Sequence, residues 1–287
     1  MAAIRRGISL PTFGPLAGPD SVAQIARTAD DLGFHSVSSA DRLLLPADAG
    51  PLGQACQTPR PVWDCIEMLT WAAAHTTRVR LATTVVHALF QPPVVLARRL
   101  ATLDRLSGGR LDVGIGQGWT PHEHESAGVS MTSRVDALAE HLELMRRCWR
   151  PGRVSFQGEH YRLRPSWVEP KPAQPTLPVY VAAMTPQGIA QAAAIADGFM
   201  YPVTTWTSAT EAIGLYREAG GRGPVALRLN PIRDSLSGAL DRFAETLPAD
   251  LAQASELGAS EVHWELNQST MTLTEQCKAM ALITEMT

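Results

Sequence analysis

The four cysteines, at 56, 65, 148 and 277, are too few and too scattered in 287 residues for a disulfide framework, and no Cys-x-x-Cys spacing offers a zinc pair. The chain reads as reduced and intracellular. No apolar run approaches the roughly 18 residues that a membrane helix needs. Residues 1–10 carry Arg5 and Arg6 but no apolar leader segment, so a cytoplasmic location is expected. Charge of one sign is missing too: 25 Lys and Arg against 28 Asp and Glu give a formal net charge of −3, with the basic residues dispersed. Nothing there would follow a phosphate backbone or an anionic membrane, which excludes nucleic acid and membrane as partners and leaves a small molecule.

What the chain does have is apolar content, 45% hydrophobic against 18% charged, enough to bury a large core in one domain over residues 1–287. Short apolar runs alternate with helical stripes. Strands are expected at 4–10, 36–40, 79–86, 110–116, 179–182, 198–201, 225–229 and 261–266. Helices are expected at 21–32, 64–75, 94–106, 134–149, 187–196, 208–219, 240–257 and 273–285, with Val135, Leu138, Leu142, Met145 and Trp149 making one clear stripe. An excursion over 150–175, with a hairpin at 154–161 and prolines at 165, 170, 172 and 175, breaks the rhythm as an insertion. Eight units of each kind predict a (β/α)8 barrel, because open doubly wound sheets usually stop at about five or six strands. On a barrel, loops 41–63 and 117–133 and the turn at Met184 meet at the C-terminal ends of the strands.

The segment Ser107-Gly-Gly-Arg-Leu-Asp-Val-Gly-Ile-Gly-Gln-Gly-Trp119 reads as a turn, a strand and a Gly-rich exit. Glycines at 114, 116 and 118 let a flat ligand or a phosphate approach the main chain, and Trp119 adds an aromatic face. His122-Glu-His-Glu125 follows; read as an extended loop, its alternating side chains would offer two imidazoles or two carboxylates, yet no further ligands accompany them, so no metal is expected. His122, on the barrel mouth, is the candidate proton donor. His87 either lines the pocket or satisfies backbone at its rim. Trp63, Trp71, Trp149 and Trp167 are expected to pack, and Asp112 to face or cap the helix layer.

The stretch Leu103 to Trp119, the helix from Arg134 to Trp149, Gly158-Glu-His-Tyr161, Val179-Tyr-Val-Ala-Ala-Met-Thr-Pro186 and Ala196-Asp-Gly198 occur in an order that resembles the luciferase-like monooxygenase superfamily, in its branch that uses the deazaflavin coenzyme F420. The likeness runs from Gly7 to about Gly198, and more faintly to Leu266. It implies a (β/α)8 barrel, a flavin or deazaflavin across the C-terminal mouth, and a homodimer. It further implies a non-prolyl cis peptide in Ala82-Thr-Thr-Val85, at Thr84–Val85, behind the ring. Cofactor contacts are implied at Asp41, Thr83, Thr84, Val85, Gly116, Gln117, Gly118, Ala182, Ala183, Met184, Thr185, Gln187 and Gly188. The last of these open a helix, where family likeness puts the cofactor phosphate; the ordinary alternative is Thr185 as a cap with Pro186 behind it.

Asp41, Trp119 and His122 are the catalytic candidates. Where the family often has Asp-His, this chain has Asp41-Arg42, and Arg cannot exchange a proton near neutral pH. A strand-end turn with a surface ion pair is the alternative there. The sugar-phosphate dehydrogenases of the branch have a Trp and a Glu where Leu43-Leu-Leu-Pro46 and Trp119 stand, which argues against that subfamily. The resemblance thus implies an oxidoreductase moving a hydride between F420 and a small organic substrate in a pocket shaped by Phe13, Leu44 and Trp119. A reduced-FMN monooxygenase, or a barrel that binds the cofactor without turnover, remains open. A cofactor-free sugar-phosphate isomerase lacks the Lys or paired carboxylates at strand ends that it would need.

Overall fold

The computed structural model describes residues 4–47, 61–232 and 237–286. Its strands and helices alternate as β1 Arg5–Ser9, α1 Pro19–Asp31, β2 Ser36–Ser39, α2 Cys65–Ala74, β3 Arg80–Thr83, β4 Val86–His87, α3 Pro93–Leu106 and β5 Leu111–Gly116. Two helices follow, α4 Pro121–Ala127 and α5 Arg134–Trp149, then the antiparallel ribbon β6 Val154–Gln157 and β7 Arg162–Ser166. The alternation resumes with β8 Val179–Ala182, α6 Pro186–Ile195, β9 Gly198–Val203, α7 Trp206–Glu218, β10 Val225–Leu229, α8 Ala239–Glu256, β11 Glu261–Trp264 and α9 Leu273–Glu285.

The parallel strands run in the order β3-β2-β1-β11-β10-β9-β8-β5-β4, and a β3–β5 pairing closes the ring. β3 and β4 share one stave, so nine strands fill eight positions of a (β/α)8 barrel. The expected third strand, 79–86, is interrupted by a cis Thr84–Val85 peptide, the bond that the resemblance implied. The hairpin is longer than expected, its second strand starting at Arg162 where the reading ended at Tyr161.

Several helices begin on a side-chain cap. Asp64 accepts the N–H groups of Ile66 and Glu67 at 2.9 and 3.1 Å to start α2, and Thr205 and Thr272 form capping boxes on α7 and α9. The main core lies between strands and helices, where Leu111, Val113 and Ile115 of β5 are fully buried. The alternate residues point into the barrel. There Tyr180, Met200 and Ala226 form a small apolar plug.

Asp112 corrects the sequence reading. It lies on the barrel side of β5, not on the helix layer, held by Arg80 through bonds of 2.6 and 2.7 Å. The same side holds Glu261, which accepts from Ser36 at 2.5 Å and pairs with His263 at 3.3 Å. This polar interior explains β2, Ser-Val-Ser-Ser, which is buried along its whole length despite its hydroxyls. Trp149 packs as expected, its indole N–H donating to Ala97. Trp71 packs edge-on against His75 and donates to the Pro19 carbonyl at 2.9 Å while staying partly exposed, as Trp63 does, and Trp167 is mostly exposed. Among the described residues no helix is long and apolar enough to cross a membrane.

Candidate active site

At the C-terminal end of the barrel, β2 is stitched to both sides of the cis bond. Thr84 N–H donates to the Ser39 carbonyl at 2.8 Å, and Asp41 N–H to the Val85 carbonyl at 3.0 Å. The Asp41 carboxylate then accepts the His87 N–H at 3.1 Å. Burial pushes this carboxyl up to about 6, the negative charges of Asp64 and Glu123 push the same way, and the His87 N–H opposes them. His87 itself is buried, which lowers its imidazole to about 4 and keeps the ring neutral at pH 7. Its edge meets Phe90, ring centroids 5.2 Å apart.

The floor of the mouth is apolar. Val85 and Ala182 pack on the Tyr180–Met200–Ala226 plug and stay partly exposed. Two glycines make this approach feasible. A Cβ on Gly116 would come within 2.8 Å of Val85 Cγ2, and one on Gly114 within 2.2 Å of the Thr83 carbonyl. These glycines therefore serve strand-to-strand packing around the bulge first. Thr83 is fully buried and exchanges hydrogen bonds with the Gly114 main chain at 2.7 and 2.8 Å, so its side chain fastens the wall instead of facing a ligand.

Beyond β5 the chain turns at Gly118, φ +76°, where a Cβ would strike Phe90 and His124. Trp119 follows, 43% exposed, with the Arg42 guanidinium 5.1 Å from its ring centroid. Arg42 does not pair with its neighbour Asp41. It donates to Glu123 at 2.9 Å, and Glu123, with no solvent exposure, also accepts Leu43 N–H at 2.9 Å and the Thr120 hydroxyl at 2.5 Å. The loop after β2 and the start of α4 are thereby locked together.

Residues 4–234 match the family described as luciferase-like monooxygenase. The chain belongs to that family. Within it, the uncharacterized protein Rv0953c of Mycobacterium tuberculosis is 38% identical over 197 residues, 67% of this chain and 65% of that protein, so the match spans just under two thirds of the relative's length. The F420-dependent glucose-6-phosphate dehydrogenase of Kineococcus radiotolerans is 38% identical over 136 residues, 46% of this chain and 40% of that one. Among solved structures, the monooxygenase RslO1 from Streptomyces bottropensis superposes with a TM-score of 0.78 at 25% identity, covering 98% of both chains.

In this luciferase-like barrel the three expected mouth segments do meet. Arg42 reaches Glu123, and Gln117 donates to Gln191 of α6 at 3.1 Å. A Cβ on Gly188 would lie 3.9 Å from the Gln117 amide nitrogen, so the β5 exit and the 183–188 turn are adjacent. At that turn the ordinary capping arrangement is present: Thr185 accepts the Gly188 N–H at 3.2 Å, with Pro186 in the first turn. Met184, Thr185 and Gln187 are exposed around it, and Ala183 is half-buried. Residues 48–60 of the 41–63 loop, with Cys56, lie outside the described residues.

His122-Glu-His-Glu125 is not an extended loop. It belongs to α4, whose turn sends Glu123 and His124 inward and leaves His122 and Glu125 exposed. Sequence reasoning gave Glu123 and His124 no individual role. The available signal was Thr120-Pro121, a helix start with Pro in the first turn, which would have imposed helical spacing on the tetrapeptide.

The residues present fit a flat heterocycle with a polar edge. Thr84 Oγ1 and His87 Nδ1, flanking the cis bond, are buried without a hydrogen-bond partner, next to the apolar Val85–Ala182 floor. Across the barrel, Arg228 pairs with Glu265 at 2.7 Å and keeps a buried Nε without a partner. Glu265 also accepts from Asn267, whose side chain donates to the Leu10 carbonyl.

Proposed function

We propose that this luciferase-like protein transfers a hydride between coenzyme F420 and an electrophilic small organic molecule, with Asp41 as the proton donor. The observation that carries the reading is the Asp41 carboxyl, pushed up to about 6 and fixed by the His87 N–H beside the cis bulge. A group that ionises there is partly protonated at neutral pH and can give its proton to an oxygen that gains electrons. Similarity to the Kineococcus F420-dependent enzyme supports the choice of cofactor. When bound, the reduced deazaflavin supplies the hydride.

This chain's own residues do the rest. Val85 and Ala182 would support the ring, Thr84 and His87 would meet its polar edge, and Gly116, Gln117 and Gly118 would border it. Ala183, Met184, Thr185, Gln187 and Gly188 would take the phosphate end at the start of α6, where helix polarity favours an anion. Asp41 protonates the substrate heteroatom and regains its proton from water. Arg42, through its bond to Glu123, ties down the loop that carries Asp41. Asp41 thus takes the role that the sequence offered to His122.

The second reading is a monooxygenase, favoured by the likeness to the monooxygenase RslO1, for which reduced FMN is the flavin to be tested. An anaerobic turnover assay separates the two. Under hydride transfer, reduced F420 is oxidised in step with an added enone or ketone in the absence of oxygen. Turnover seen only with oxygen and reduced FMN would overturn the proposal.

A further inference from the structure

We propose that the substrate of this mouth is a flat, uncharged, conjugated carbonyl compound that stacks on the open face of Trp119; this rests on the hydride-transfer reading. Trp119 stands directly beyond the Gly-rich exit and is 43% exposed. The Arg42 guanidinium covers one face of its indole at 5.1 Å, and with 43% of the residue still exposed we assign the ligand to the opposite face. Arg42 is itself immobilised by the fully buried Glu123, so the indole is backed by a fixed plate. Rigid aromatic surface of this kind favours a planar partner in offset stacking.

The charge nearest Trp119 is already neutralised, which works against an anionic partner on that ring. Two arginines at this end of the barrel, Arg42 beside Trp119 and Arg228 across the mouth, are each held by a buried carboxylate, at 2.9 and 2.7 Å. A phosphate or carboxylate on a substrate stacked there would have to displace Glu123 to gain the Arg42 charge beside Trp119, whereas a neutral carbonyl needs one donor. Leu43 and Met184, exposed at 48% and 58%, extend the apolar rim.

The test is equilibrium binding, without cofactor, of two probes that share one ring system: 2-acetylnaphthalene, neutral and conjugated, and 2-naphthoate, anionic. The native protein is expected to prefer the ketone, and Trp119→Ala to weaken it about three- to tenfold while Trp119→Phe retains most of the affinity. Glu123→Gln, which frees the Arg42 charge, is expected to raise 2-naphthoate affinity; the Trp119 variants carry the test alone if that protein does not fold. Equal ketone affinity in the native protein and Trp119→Ala, or tighter binding of 2-naphthoate by the native protein, would overturn the inference. A parallel F420 titration keeps the two claims apart. Absent F420 binding with intact Trp119-dependent stacking removes the hydride-transfer reading, and the reverse pattern removes only the substrate class.

Discussion

Replacing Asp41 by Asn should stabilise the protein in alkali and leave it nearly unchanged in acid. In the fold the carboxyl gives up its proton at about 6, against an ordinary 3.8, because burial and the nearby Asp64 and Glu123 disfavour the charged form. With the folded value above the unfolded one, the native state holds the extra proton between about pH 4 and pH 6. Stability from this group is therefore full below about pH 4 and is lost as pH rises through about 6. At about 1.4 kcal/mol per pH unit the gap corresponds to about 3 kcal/mol. Asp41 keeps some solvent contact, so about 1–2 kcal/mol is expected. Asn cannot ionise, yet its oxygen can still accept the His87 N–H. Urea denaturation of both proteins at pH 4.5 and pH 8 measures the effect, and any pH-independent cost of the amide cancels in the difference. A stability difference that is the same at both pH values, or that favours the native protein more at pH 8, would refute the buried-acid argument.

The same variant, set beside His122→Ala, identifies the proton donor: Asp41→Asn should lower turnover by about 10²-fold or more, and His122→Ala by less than about threefold, in steady-state assays with one enone. Gly116→Ala forces a methyl to within 2.8 Å of Val85 Cγ2, which should cost about 1–3 kcal/mol of stability and weaken cofactor binding by displacing the floor, read by titration and by thermal melting. Glu123→Ala leaves Arg42 facing a buried void and should cost about 3 kcal/mol or more; an Arg42→Met, Glu123→Met double variant should recover part of it in the same melting experiment.

The barrel was legible because its helices carry long stripes, as at Val135 to Trp149, and because apolar runs recur between them. β2 gave a weak signal for a physical reason: Ser36 and Ser38 face a polar barrel interior, where Ser36 serves Glu261 and Ser38 meets Ser9, so apolar content understates their burial. Asp112 was misread for the same reason, since only the interior ion pair with Arg80 makes that side of β5 a place for a carboxylate. The Thr84–Val85 cis bond came from family resemblance, because no local residue preference forecasts it. Asp41 and the Gly116–Trp119 exit were visible as strand-end positions. The lock between Arg42 and Glu123, 81 residues apart, was not, because α4 has seven residues and shows barely two helical turns of pattern. Thr83 was expected as a cofactor contact from the resemblance alone, and which way its hydroxyl turned depended on the Gly114 main chain opposite.

Titration of the purified protein with F420 and with FMN, followed by absorbance and fluorescence, tests the central claim most directly. Hydride transfer on a deazaflavin predicts saturable binding of F420 and little affinity for FMN. Tight binding of FMN with none of F420 would contradict it.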